Sequence, residues 1–136
     1  MKYYAVIDTN VLVSAMLRWD SVPGCVLEQS LLGDIVPLLN EKILNEYIDV
    51  LGRPKFRFPR EKVSEVIDGL IRRGVFLDAN TLDVELPDPK DAVFYEIVME
   101  KRKSDEAFLV TGNIKHFPSE PYIVTPREML TILGLG

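Results

Sequence analysis

The chain opens on an apolar run, Tyr3 to Ile7, that stops at Asp8, Thr9 and Asn10 before hydrophobic residues resume. A short, continuous apolar stretch bounded by polar residues predicts a buried strand over 3–7. The spacing then becomes helical, with Val11, Leu12, Ala15 and Met16 on one face, and Pro23 with Gly24 restarts the chain into a second helix over about 23–32. "DIVPLL" reads as a strand whose Pro37, having no N–H to donate, predicts an edge or terminal position.

From Asn40 to about Leu51 the residues Ile43, Leu44, Tyr47, Ile48 and Leu51 recur at helical spacing, and Gly52 and Pro54 end the pattern. Pro59 is expected as the first residue of the next helix, whose face is Val63, Val66, Ile67, Leu70 and Ile71 and whose stop is Gly74. "VFLD" predicts a short strand, residues 79–87 a polar loop, and Asp88 the start of a helix reaching about Arg102. "AFLVTG" and "YIVT" are further strands, and Thr125 with Pro126 opens a terminal helix. Strands separated by helices pair in parallel, because parallel neighbours need a crossover between them. The expected fold is therefore a three-layer α/β/α sandwich with a central, mostly parallel sheet of 4–5 strands, in one domain spanning 1–136.

Composition narrows the class. Hydrophobic residues are 47% and charged residues 27% of the 136, as in an ordinary globular domain. No leading basic segment precedes a long apolar stretch, and no run approaches the ~20 residues that span a bilayer, so a cytoplasmic protein with no membrane association is expected. Cys25 is the only cysteine, which excludes an internal disulfide and a cysteine-based zinc site. The net charge of −5 argues against nonspecific wrapping of nucleic acid. The basic residues are nevertheless clustered, in "GRPKFRFPREK" (Arg53, Lys55, Arg57, Arg60, Lys62), at Arg72 and Arg73, and in "KRK" at 101–103.

The candidate chemistry lies at strand ends. In open parallel sheets ligands gather beyond the carboxyl ends of the strands. The first strand ends in Asp8-Thr9-Asn10 and the strand "AFLVTG" in Thr111-Gly112-Asn113, so central, parallel placement of both would bring these groups to one rim. The helix that starts at Asp88 can add Asp88 and Asp91, one turn apart. Each acid also has a structural reading. Asp8 can cap the following helix, and "DPKD" is a favourable helix entry with Asp88 as cap. Glu46 flanks its helix's apolar stripe and can simply be solvated, and His116 beside Phe117 suits a structural role better than a metal role. Carboxylate and amide oxygens without cysteine match Mg²⁺ or Mn²⁺ rather than zinc.

The blocks "VIDTNVLVSAM", "ILNEYIDVLGRPKF", "DPKDAVFYEIV" and "FLVTGNIKHFP", in that order across nearly the whole chain, resemble the PIN domain, in particular its branch of toxin–antitoxin toxins. The resemblance implies a metal-dependent endoribonuclease that hydrolyses RNA phosphodiesters with metal-activated water and leaves a 5′-phosphate and a 3′-hydroxyl. By resemblance Asp8, Glu46 and Asp91 match the family's first, second and third acids, with Asp88 beside the third, as ligands of one or two Mg²⁺ or Mn²⁺ ions. Thr9 and Asn10 match the residues that support the first acid, with Asn10 expected to hold Asp8. Thr111 and Asn113 match the polar strand end and are expected to orient water or a phosphate oxygen. Many relatives carry an aspartate at the position of Asn113 or near that of His116, and this chain has neither. The implied partners are RNA, a cognate antitoxin protein and a second copy in a homodimer.

"RPKFRFPREK" interleaves Phe56 and Phe58 with Arg53, Lys55 and Arg57, a combination suited to phosphate contact and base stacking on single-stranded RNA. It is equally a helix connector whose phenylalanines enter the core, or a docking site for an antitoxin peptide. Two other functions stay open: a PIN-like protein that binds RNA or a partner without cleaving, and a Mg²⁺-binding receiver-like signalling domain with Asp78 as phosphoacceptor. Against the latter, the first strand ends in one acid rather than an acidic pair, and the last strand, "IVTP", supplies no lysine.

Overall fold

A computed structural model describes residues 2–135. Five strands form one sheet: β1 (Tyr3–Ile7), β2 (Ile35–Leu39), β3 (Val75–Phe76), β4 (Ala107–Val110) and β5 (Ile123–Val124). Their order is β3-β2-β1-β4-β5, and every pairing is parallel. Six helices accompany them: α1 (Thr9–Leu17), α2 (Val22–Leu32), α3 (Glu41–Leu51), α4 (Arg60–Arg73), α5 (Ala92–Arg102) and α6 (Pro126–Ile132). The expected α/β sandwich is the architecture found, with a wholly parallel sheet.

The order of the strands places the helices. From β1 to β2 to β3 the chain steps in one direction, and right-handed crossovers carry the intervening helices to one face. The return from β3 past β1 to β4 reverses that direction, so α5 crosses the opposite face, where it packs on β1, β2 and β4. β1 and β4 are the point where the chain's direction across the sheet changes, and in such sheets ligands bind beyond the carboxyl ends of the strands at that point. β1 and β4 supply the centre of the core: Ala5, Val6, Ile7 and all four residues of β4 are buried.

Local sequence explains the boundaries. Asn40 and Ser21 cap α3 and α2 by accepting from the N–H groups of Ile43 and Gly24. Thr125 and Glu128 form a reciprocal capping box at α6. Gly33 ends α2 in the left-handed region, φ 104°, which glycine adopts without a Cβ penalty.

Several boundaries differ from those read from the sequence. Pro59 stands just outside α4, in the cap position, and the helix starts at Arg60. The segment after Asp88 first makes a 3₁₀ turn, Pro89–Asp91, and becomes α-helical at Ala92. Pro37 is not on an edge strand, because β2 pairs with both β1 and β3. β3 is only two residues long and pairs with Leu38 and Leu39 alone. Pro37 pairs with Ala5 of β1 and has no partner in β3, so its missing N–H leaves no gap in that ladder.

Candidate functional site

Asp8 follows the last residue of β1, and Thr111 the last residue of β4. The register aligns Ile7 with Val110, and the Asp8 N–H donates to the Val110 carbonyl at 2.9 Å. The Thr111 hydroxyl donates to Asp8 Oδ2 at 2.7 Å, with Thr111 fully buried and Asp8 6% exposed. Asp8 occupies the cap position of α1, yet its side chain makes no capping hydrogen bond. Its carboxylate is aimed at the neighbouring strand instead.

α3 brings in the second acid. Glu46 is half-buried and accepts from Thr9 Oγ1 at 2.8 Å, which fixes α3 to the start of α1. The next residue, Tyr47, is buried and donates its hydroxyl to the Ile7 carbonyl. Consecutive residues of α3 therefore grip the backbone and side chain on either side of Asp8. The sequence placed Tyr47 on an apolar face and gave no sign of its polar end; only the buried terminus of a tyrosine, which needs a partner, could have signalled it.

The third acid enters at the head of α5. Asp91 ends the 3₁₀ turn with its side chain 14% exposed, and His116 Nδ1 lies 3.3 Å from its Oδ2. Asp88 accepts from the Lys90 N–H, the capping role the sequence allowed it. His116 comes from the 3₁₀ turn Ile114–His116 that follows β4 and stands as the neighbour of an acid, a pairing that its isolated position in the sequence did not reveal.

The other polar residues share the work differently from expectation. The Asn10 side chain does not hold Asp8; its Oδ1 accepts from the Gly112 N–H at 3.3 Å and ties α1 to the loop after β4, while its backbone N–H acts on the Asp8 carboxylate. Thr111 is not available to orient a water, because its hydroxyl is committed to Asp8 and also accepts from the Asn113 N–H at 2.9 Å. Asn113 itself is exposed at the rim. Arg53, Lys55 and Arg57 lie beyond the end of α3, all exposed, with Arg53 paired to Asp49 at 3.3 Å.

The electrostatics of the group are those of crowded acids. Burial raises the Asp8 carboxyl above its ordinary value, and the charge of Glu46 raises it further against the opposing bond from Thr111. Asp91 is pushed up to about 6, by burial first and then by the charges of Asp8 and Asp88, while His116 pulls it down. Tyr47 is raised by burial and by the charges of Asp8 and Glu46, so it stays a neutral donor. The charge of Glu46 thus acts on Asp8, and those of Asp8 and Asp88 act on Asp91, in a partly desolvated place. A cation there relieves both burial and repulsion.

The donor set consists of oxygens and fits a hard cation such as Mg²⁺ or Mn²⁺. Among the described residues, no three or more His, Cys, Asp or Glu side chains close into a ready-made metal cage. Mg²⁺ and Mn²⁺ keep several waters and take only one or two carboxylates directly.

An α/β fold with a wholly parallel sheet, and acids beyond the carboxyl ends of the strands where the chain reverses direction, define an α/β protein with an acidic candidate site. The family model of the PIN domain matches residues 4–115, and the chain belongs to the PIN domain family. Comparison with curated proteins gives no match. PIN domains are generally nucleases and typically use divalent metals, which supports a hydrolase reading of this site. The receiver-like alternative fails on the fold as well: that class has the order 2-1-3-4-5, and Asp78 here is exposed beyond the two-residue strand β3. Among the described residues no helix is long and apolar enough to cross a membrane.

Proposed function

We propose that the protein is a Mg²⁺- or Mn²⁺-dependent endoribonuclease, acting in the cytoplasm as the toxin of a toxin–antitoxin pair. One observation carries the reading: Asp8 is buried at the end of β1 under the Thr111 hydroxyl, Glu46 of α3 is tied to the adjoining Thr9, and Asp91 is brought to the same group at the head of α5. Acids from three elements are held against their own repulsion, an arrangement that a bound cation offsets.

Asp8, Glu46 and Asp91 would hold the metal, with Asp88 adding charge at the head of α5. When bound, the metal supplies Lewis acidity toward water and the scissile phosphate. Thr111 aims Asp8 by donating to Oδ2 and favours its ionised form against burial, and Thr9 fixes the Glu46 side chain by donating to Oε2. Asn113, exposed at the rim, can reach a phosphate oxygen or a water. Arg53, Lys55 and Arg57 meet the RNA backbone. No nucleophilic side chain is needed. A homodimer and an antitoxin protein are the partners proposed with this role.

The test is a cleavage assay on single-stranded and structured RNA during Mn²⁺ titration, with Asp8→Asn as control. Metal-dependent cleavage by the wild type and none by a folded Asp8→Asn variant is the expected result. Cleavage that survives in Asp8→Asn defeats the mechanism. RNA binding without cleavage at any metal concentration assigns the protein to a non-cleaving PIN-like binding role, which the asparagine at 113 in place of an acid would then explain.

A further inference from the structure

The connector between α3 and α4 is built in a way that neither helix requires. After Gly52 the chain makes a 3₁₀ turn, Pro54–Phe56, and reverses at Arg57, whose φ of 55° is the only positive value at a non-glycine position among the described residues. An L side chain enters this left-handed region at a cost, and such costs cluster at functional sites. The reversal lays the ring of Phe58 against that of Phe56, with centroids 5.4 Å apart and planes 10° from parallel.

The two rings have different surroundings. Phe58 packs on the hydrophobic core and is held from below. Phe56 is half-buried and is not among the residues packed against that core. The Lys55 ammonium stands 5.1 Å from the Phe56 ring centroid, and the exposed Arg53 and Arg57 adjoin it in the chain, Arg53 paired with Asp49 at 3.3 Å. Beside Phe58 runs a groove of about 500 Å³ lined by Ile48, Gly52, Arg60 and Val63 among others. Arg53 lies two residues past Leu51, the end of the helix that carries Glu46.

We propose that Phe56, anchored on Phe58, is a preassembled stacking platform for an unpaired RNA base in the connector between α3 and α4. The proposal rests on the nuclease reading above for its substrate, but its binding chemistry stands separately. Flat rings match the π-face of a base, and the Lys55 ammonium beside the ring matches an adjoining phosphate. A base in a duplex is already stacked and cannot offer that face. The Lys55 stem is flexible, so an arriving base replaces the ammonium on the ring and leaves it free for the adjoining phosphate. An acidic peptide would satisfy the charges and leave the paired rings unused.

The experiment measures binding by fluorescence anisotropy in EDTA, where metal-dependent cleavage is suppressed. The probes are an unstructured ten-nucleotide RNA, an abasic ribose-phosphate chain of the same length, a blunt RNA duplex and polyglutamate. The wild type should bind the base-bearing strand roughly tenfold more tightly than the abasic chain or the duplex. Phe56→Leu should erase that preference, whereas Phe56→Tyr, which keeps the π-face, should retain it. Equal affinity of the wild type for base-bearing and abasic strands overturns the platform, as does an unchanged preference in Phe56→Leu or equal binding of polyglutamate. Cleavage with Mn²⁺ is scored on the same samples. Cleavage without base preference removes the platform and leaves the nuclease, while base preference without cleavage does the reverse.

Discussion

Thr111 Oγ1 donates to Asp8 Oδ2 at 2.7 Å, joining two residues 103 positions apart that sit side by side because β1 and β4 are parallel neighbours in register. The bond favours the ionised form of a carboxyl that burial disfavours. Thr111→Val keeps the shape and deletes the donor. It should destabilise the fold by about 1–3 kcal/mol in denaturant unfolding, the range for leaving a buried polar group unpaired. It should also weaken Mn²⁺ binding measured calorimetrically, because Asp8 becomes harder to ionise.

Asp8→Asn removes a charge that is unfavourable in the metal-free protein. Its melting temperature without metal should equal or exceed that of the wild type, while its response to metal disappears. Saturating Mn²⁺ at about a hundred times Kd should stabilise the wild type by about 2.7 kcal/mol and leave the variant unmoved. A melting curve with and without Mn²⁺ reads both results.

Asp91 gives a pH signature. Its carboxyl is pushed up to about 6 from an ordinary 3.8, so the folded, metal-free protein holds that proton more tightly than the unfolded chain does. The sign follows: Asp91's contribution to stability is most favourable below about pH 4 and declines as the pH rises to about 6. The difference in unfolding free energy between wild type and Asp91→Asn, measured across that window, should fall with rising pH. Mn²⁺ affinity should rise over the same interval, as the carboxylate becomes available.

His116 faces Asp91 at 3.3 Å and lowers its carboxyl. His116→Ala should move the pH at which Mn²⁺ binding appears upward, toward neutrality. Titration calorimetry at several pH values checks this, and an unmoved profile would show that the contact does not act on Asp91.

Tyr47→Phe deletes one buried hydroxyl and leaves the Ile7 carbonyl without its partner. A loss of about 1–3 kcal/mol in unfolding free energy is expected. Thr9→Val, which frees Glu46 from α1, should cost less stability because that bond is only part-buried, and more metal affinity.

The sequence by itself determined the two central strands, most helix starts and the kind of chemistry at hand. Those properties are encoded within a few residues: the unbroken runs of β1 and β4, the capping residues Asn40 and Thr125, and an acid placed where an apolar strand stops. Pro37 shows where such local reading ends, because whether a proline weakens a ladder depends on how far the neighbouring strand extends. Only the tertiary structure decided who holds whom. Thr9 reaches Glu46 across 37 positions, Tyr47 reaches Ile7 across 40, and Thr111 reaches Asp8 across 103. These partnerships depend on strand order and on the direction of each crossover, which no local pattern of hydrophobic and polar residues records.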